Sequence, residues 1–345
     1  MISPLPPPKG GIATWTESYK ESNILKEHKL EIVNIAVGKK RQKDANRLYL
    51  VEEIKRTISI LKTVKKKIKK SKFDVAHINS ACSILGLYRD YICIKIIKKR
   101  KINTFVHFHC DVSYMVKCRF QRYIIKRILK MVDGTIVLNK SSYEYIRGIN
   151  ENIKVTIIPN FIDDEFTLKK DKEIEDEIKN ILYVGRICKE KGSDVILEVA
   201  KDFPNIQFRM IGKVSQDFCN RKKLDNVIFD GEKGKKYVID ELKKADLFIF
   251  PTLTEGFPCA LLEAMAEGLP VITTRVGAIE DMLEDYGGIY CRINETEDFI
   301  KAIEQLKDKE QRKKMSRWNI KKVKENYLQE NVIKEIIDLY KGERY

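Results

Sequence analysis

The chain has 345 residues, 43% hydrophobic and 34% charged, which is long enough for two separate cores and too apolar for a disordered protein. No apolar run approaches the ~20 residues of a membrane span, the opening MISPLPPPKGG has no charged n-region or apolar h-region and so no signal peptide is expected, and eight cysteines without a C-x-x-C pair speak against a disulfide framework and for a reducing cytoplasm. The net charge of +16 sits in one half: residues 1–164 hold 33 Lys and Arg against 15 Asp and Glu, whereas residues 165–345 hold 33 against 35.

In chain order, a first strand should precede the turn Pro4–Gly11, yet only Met1–Ser3 are available. Either that strand is very short or the start codon lies inside a longer reading frame. Further strands are expected at Leu30–Val37, Val75–Ile78, Asn103–His109, Gly134–Leu138 and Val155–Ile158. Between them lie basic helical runs at Ile54–Lys70, Tyr91–Arg100 and Val116–Lys130, each interleaving Ile, Leu or aromatic residues with Lys and Arg. The charged stretch Asp163–Lys179 reads as a hinge region. The second half offers strands at Asn180–Val184, Gln207–Ile211, Asn226–Phe229, Leu247–Phe250 and Pro270–Thr273, with helical stretches such as Ser193–Ala200 and Tyr237–Lys244. A last amphipathic helical stretch, Asn319–Tyr340, is expected to pack back on the first domain. Strand–helix alternation of this kind implies an α/β fold of two Rossmann-like domains with parallel sheets. The boundaries expected are 1–164, 165–322 and a carboxyl-terminal helix in 323–345.

The segment Pro251–Met265, PTLTEGFPCALLEAM, carries the clearest chemistry. Glu255 is expected at the carboxyl end of the buried strand, and Glu263 in the first turns of the helical run Ala260–Ala266. That edge of an open α/β sheet is where ligands bind. Gly256 lets the backbone approach a ligand closely. Pro258 has no N–H, so amide donors come from Phe257, Cys259, Ala260 and Leu261, the last three at a helix start suited to a diphosphate. A second loop, Val184–Gly192, places Arg186 and Lys191 five residues apart, close enough to share one pyrophosphate. The plainer reading of each motif is coincidence, or a solvated basic loop in a lysine-rich chain.

Val184-Gly185-Arg186 with Glu190-Lys191-Gly192, Glu255-Gly256-Phe257 with Glu263-Ala264-Met265-Ala266-Glu267-Gly268, and Pro270-Val271-Ile272 resemble the nucleotide-sugar domain of the family-four retaining glycosyltransferases (glycosyl transferases group 1). In the first half, Pro6–Ala13 resembles that family's glycine-rich first loop and Ile158-Pro159-Asn160 its interdomain strand end. The resemblance implies the GT-B fold, two Rossmann-like domains facing across a cleft. It also implies that Glu263 holds ribose hydroxyls, and that Glu255 contacts the transferred sugar near the reaction centre. Arg186 and Lys191 would neutralise the diphosphate, and Gly11 would let the first loop approach the donor. His109 matches the histidine near the transferred sugar. His107 lies two residues earlier on the same strand face, and His77, at another strand end, reads as structural. The chain departs from the pattern at Phe161, where glycine often follows Pro-Asn, and at Gly212-Lys213 in place of an acidic-glycine turn.

These readings imply transfer of a hexosyl-type sugar from a nucleoside diphosphate sugar with retention. A uridine diphosphate sugar is favoured and guanosine diphosphate mannose comes next. Asp163-Asp164 lies in the hinge region and no D-x-D motif sits at a strand end, so no metal or other cofactor is expected. The acceptor is expected to be a lipid-linked or other oligosaccharide in bacterial surface-polysaccharide assembly. The basic first half would meet an anionic membrane surface from the cytoplasmic side. The competing readings are a nucleotide-sugar 2-epimerase on the same fold and a basic nucleic-acid-binding protein. The second lacks any zinc, RNP or helix-turn-helix signature, so no nucleic-acid partner is expected.

Overall fold

The computed structural model describes residues 1–342 except 9, 38–49, 164–165, 167–170 and 220–223, and leaves out the side chains of Leu50 and Cys219. Lys9, Asp164 and part of the expected hinge Asp163–Lys179 therefore lie outside the described residues. The chain divides into two compact units, Met1–Phe161 with Gln329–Tyr345, and Ile162–Leu328.

The first unit is built on the strands β1 (Ile2–Ser3), β2 (Val33–Asn34), β3 (Val75–Ser80), β4 (Asn103–Phe108), β5 (Gly134–Val137) and β6 (Val155–Ile157). All are parallel, in the order β2-β1-β3-β4-β5-β6. The central strands β4 and β5 are buried on both faces, as in a sheet covered by helices on both sides. One face packs on the helices Leu50–Lys70, Ile84–Lys98 and Arg119–Leu129 through Ile60, Val64, Ile94, Ile97, Ile125 and Ile128. The other core joins Trp15 and Tyr19 of helix Gly11–Glu21 to Ile333 and Ile336 of helix Gln329–Lys341.

The second unit holds β7 (Asn180–Val184), β8 (Gln207–Ile211), β9 (Val227–Gly231), β10 (Leu247–Phe250), β11 (Val271–Thr274) and β12 (Gly288–Cys291). They are again all parallel, in the order β12-β11-β10-β7-β8-β9. This is the doubly wound Rossmann order, and its switch point lies between β7 and β10. The expected fold class is thus the one found.

Several boundaries differ from expectation. The expected strand Leu30–Val37 keeps ladder pairing only at Val33–Asn34 among the described residues, because its neighbour β1 offers two residues and the Asn34 side chain then accepts from the amides of Leu5 and Ala36. The strand β12 was not foreseen: four residues beginning with glycine carry almost no periodic signal, and Asn319 fixes its start by donating to the carbonyls of Leu269 and Gly287 at 2.9 Å. The expected helix Asn319–Tyr340 is two helices, Lys309–Asn326 and Gln329–Lys341. Between them the chain turns extended to pair with Ile162, whose amide donates to Tyr327 O at 2.9 Å. The described end of the expected hinge is bound to the second unit, where Lys172 donates to Lys243 O and Asp176 pairs with Lys309. The basic runs are longer or shorter than read: Leu50–Lys70, Ile84–Lys98 and Arg119–Leu129.

Candidate active site

At the switch point of the second sheet, the loop after β7 meets the loop after β10. Gly192 has φ of 69°, and a Cβ there would stand 1.9 Å from the Pro251 carbonyl oxygen. Only glycine permits so close a crossing. The two loops are stitched by Leu253 N donating to Glu190 O at 3.1 Å. A third loop, after β11, closes on the same place: Gly277, at φ 58°, would drive a Cβ to 2.0 Å from Glu255 O, and Ala278 N donates to Gly256 O at 3.0 Å.

This crossing brings two of the expected residues together. Lys191 Nζ pairs with Glu255 Oε1 at 2.5 Å and donates to Thr254 O at 3.1 Å. Both side chains of the pair are about 15% exposed, so it is shielded yet reachable. Thr252, fully buried, sets its hydroxyl 3.1 Å from Thr254 O and 3.4 Å from the same carboxylate oxygen. Sequence reasoning missed Thr252 and Thr254, because neither motif nor periodicity marks a residue whose value lies in a loop crossing. Arg186 is exposed on the first loop, held by its carbonyl, which accepts from Tyr183 Oη at 2.7 Å. Among the described residues no carboxylate pairs with its guanidinium.

Glu255 lies in the loop, five residues past the last residue of β10, rather than on the strand. The helix that follows, Cys259–Ala266, starts at Pro258 with no side-chain cap. Its first-turn residues Cys259 and Ala260 are half-buried, while Leu261 is wholly buried. The Phe257 ring is buried edge-on against Tyr327, centroids 5.5 Å apart, so only its backbone can serve a ligand. Glu263 stands in the second turn. Part of the side chain reaches the surface, but its carboxyl is desolvated enough to raise its pKa to about 8, with Lys235 opposing and Asp163 assisting. Among the described residues no hydrogen bond reaches that carboxyl, an acceptor left open at the helix.

The first unit gathers His77, in the middle of β3, with His107 and His109, at and just past the carboxyl end of β4. His109 Nε2 is 3.0 Å and His77 Nε2 2.7 Å from Asn79 Oδ1. The Asn79 amide nitrogen donates to Ser3 Oγ, which leaves Oδ1 to accept from both rings and fixes their protons on Nε2. Tyr340 then donates to His77 Nδ1 at 2.5 Å, and among the described residues no hydrogen bond reaches His109 Nδ1. Burial lowers the pKa of His77 and of His109 to about 3, and that of His107 as well. His107 is fully buried with both nitrogens unpartnered, which separates it from the partly exposed His109 as a candidate for contact with substrate. Asn79 was not read from the sequence. Gly11 opens helix Gly11–Glu21 beside a cavity of about 310 Å³, where a Cβ would meet nothing within 4 Å. Among the described residues, no three His, Cys, Asp or Glu side chains come together as metal ligands would.

Two family descriptions match the chain in tandem: Glycosyltransferase Family 4 over residues 4–166 and Glycosyl transferases group 1 over residues 164–323. An uncharacterised 41.2 kDa protein in the cps region of Klebsiella pneumoniae is 29% identical over 86% of each chain. The UDP-Gal:alpha-D-GlcNAc-diphosphoundecaprenol alpha-1,3-galactosyltransferase of Escherichia coli is 24% identical over 77% of this chain and 76% of its own. Among solved structures, a glycosyltransferase from Rickettsia africae ESF-5 superposes with a TM-score of 0.77 at 17% identity, over 99% of this chain and 97% of that one.

Proposed function

We propose, on the premise that this chain is a glycosyltransferase built of a family 4 domain and a group 1 domain on the GT-B fold, that it moves a hexosyl unit from a uridine diphosphate sugar to a lipid-linked saccharide with retention of configuration. The observation that carries this is the loop crossing at β7 and β10, which joins Lys191 to Glu255 beside the exposed Arg186 loop and leads into a helix that starts without a side-chain cap and carries the open carboxyl of Glu263 in its second turn. In transfer, the bond from the anomeric carbon to the diphosphate breaks and the nucleoside diphosphate leaves with the electron pair. The acceptor hydroxyl oxygen bonds to that carbon and its proton passes to an oxygen of the departing diphosphate. The charge that builds on the leaving diphosphate is what Arg186, Lys191 and the helix amides of Cys259 and Ala260 would stabilise, with no metal required. Lys191 is held by Glu255 before the donor arrives, and exchange of that partner for phosphate frees Glu255 for the sugar hydroxyls. Glu263 takes the ribose hydroxyls. His109, its ring oriented by Asn79, offers Nδ1 to the sugar.

The uridine preference rests on the Escherichia coli relative, whose name carries UDP-Gal and a diphosphoundecaprenol-linked acceptor. The setting in bacterial surface-polysaccharide synthesis rests on the Klebsiella relative in a cps region. Among the described residues no helix is long and apolar enough to cross a membrane, and we place the enzyme at the cytoplasmic face, held there through its basic first half. The test is release of uridine diphosphate from UDP-sugars with and without a polyprenyl-diphosphate saccharide, in buffer containing EDTA. Acceptor-dependent release with an axial-to-axial product by NMR is expected. Release without acceptor, loss of transfer in EDTA or an inverted product would each overturn the corresponding part.

A further inference from the structure

The helices on one face of the first sheet run antiparallel to its strands, so their amino ends gather at the sheet's carboxyl edge. Helix Leu50–Lys70 packs on helix Ile84–Lys98, which packs on helix Arg119–Leu129. Of the twelve large apolar side chains left most exposed among the described residues, eight lie on these three helices. On the first helix they are Val51, Ile54 and Ile58, at 66%, 58% and 47% exposure. These three lie roughly 100–160° around the helix from the core-facing line of Glu53, Ile60 and Val64, so they are not a ragged margin of the core. The second helix contributes Ile84, Leu85 and Tyr88 from its opening turns. The third contributes Phe120 and Tyr123, again opposite its buried face of Gln121, Ile125 and Ile128.

Cations frame this apolar edge. The outward stripe of Val51, Ile54 and Ile58 continues along the same helix as Lys62, Lys65 and Lys69. Helix Leu50–Lys70 holds eight Lys or Arg against two Glu, and helix Arg119–Leu129 holds four against none. A protein-binding patch has a core depleted of charge. Here Val51, Ile54, Ile58, Phe120 and Tyr123 each have Lys or Arg within a helical turn, the arrangement that suits lipid tails below and anionic headgroups beside. The edge also borders the 310 Å³ cavity lined by Gly11, Arg56, Leu85 and Arg89.

We propose that this three-helix edge is a bilayer-docking face, in which Val51, Ile54, Ile58, Tyr88, Phe120 and Tyr123 enter the headgroup–acyl boundary of an anionic membrane and hold the adjoining cavity at the depth of a lipid-linked acceptor's saccharide. This rests on the reading of a membrane-anchored acceptor and adds to it the face and the mode: apolar insertion steered by charge, not adsorption of lysines alone.

The test is sedimentation of the full chain with phosphatidylcholine vesicles, with and without phosphatidylglycerol, at low and high salt. It compares the native chain with the double variants Ile54→Ser/Ile58→Ser and Tyr88→Ser/Phe120→Ser. The positions are exposed and lie outside the donor loops, so the thermal shift caused by uridine diphosphate serves as a control for folding. Native protein is expected to bind the anionic vesicles, to retain part of that binding at high salt, and to lose at least tenfold in partitioning in either variant. Variants that bind as the native chain does overturn the docking face while leaving membrane attachment standing. Absence of native binding to both vesicle types overturns the membrane-anchored acceptor itself. A native dimer by light scattering that both variants dissolve would assign the face to a second copy of this chain instead.

Discussion

Glu255 and Glu263 are both half-buried carboxylates of one segment, yet they live in different electrostatic settings. Glu255 is neutralised by Lys191 at 2.5 Å. Glu263 has no such partner, and desolvation carries its pKa from 4.5 to about 8. Separate consequences follow for the two substitutions. Glu255→Gln should cut turnover on the order of a hundredfold or more while uridine diphosphate still binds, as measured by steady-state kinetics beside titration. Glu263→Gln should weaken donor binding and at the same time raise intrinsic stability. A carboxyl raised on folding is harmless below its unfolded pKa of 4.5, and its burden on the folded state grows as pH climbs from 4.5 to about 8, by about 1.4 kcal/mol per pH unit. Melting temperatures of both proteins across that range should therefore converge near pH 4 and separate towards pH 8 in favour of the variant. A constant difference would show that the carboxyl is not desolvated.

At the level of elements, the two glycine crossings and the histidine cluster are the places where packing fixes chemistry. Gly192→Ala must move either the β7 loop or Pro251, and the left-handed backbone alone costs about 1–3 kcal/mol. The variant should melt lower and lose the Lys191 geometry, so that donor affinity falls with stability. The histidine cluster predicts acid sensitivity of the first unit. Imidazoles lowered from 6.5 to about 3 stay neutral in the fold while the unfolded chain takes up protons, so their contribution is whole above pH 6.5 and is lost as pH falls towards 3. His107→Phe, which removes two unpartnered buried nitrogens, should flatten the acid limb of a denaturation profile. An unchanged limb would contradict the burial argument. The long central strands and the Glu255–Glu263 segment were legible in the sequence because apolar runs and turn residues mark buried parallel strands. The two-residue ladder at Val33–Asn34, the four-residue β12 and the break at Tyr327–Leu328 were not, since each is defined by a partner distant in the chain. Asn79 and Thr252 escaped for the same reason: their partners, Ser3 and His109 for one and Lys191 for the other, come from segments distant in the chain.

For the whole molecule, the excess of positive charge in residues 1–164 and the Rossmann order of the second unit divide the labour. The second unit carries the groups suited to a nucleoside diphosphate, and the first carries a basic, apolar-edged surface suited to an anchored acceptor. Membrane partitioning should accordingly fall with ionic strength, while donor affinity, to which the half-buried Lys191 and Glu263 contribute beside the exposed Arg186, should change less over the same range. The most direct test of the central claim is calorimetric titration of uridine diphosphate into the native chain, Arg186→Ala and Glu263→Gln, all in EDTA. The donor site described at the β7–β10 switch point predicts binding to the native chain without metal and at least tenfold weaker binding to each variant. Equal affinity in all three proteins would place the nucleotide elsewhere and contradict the account.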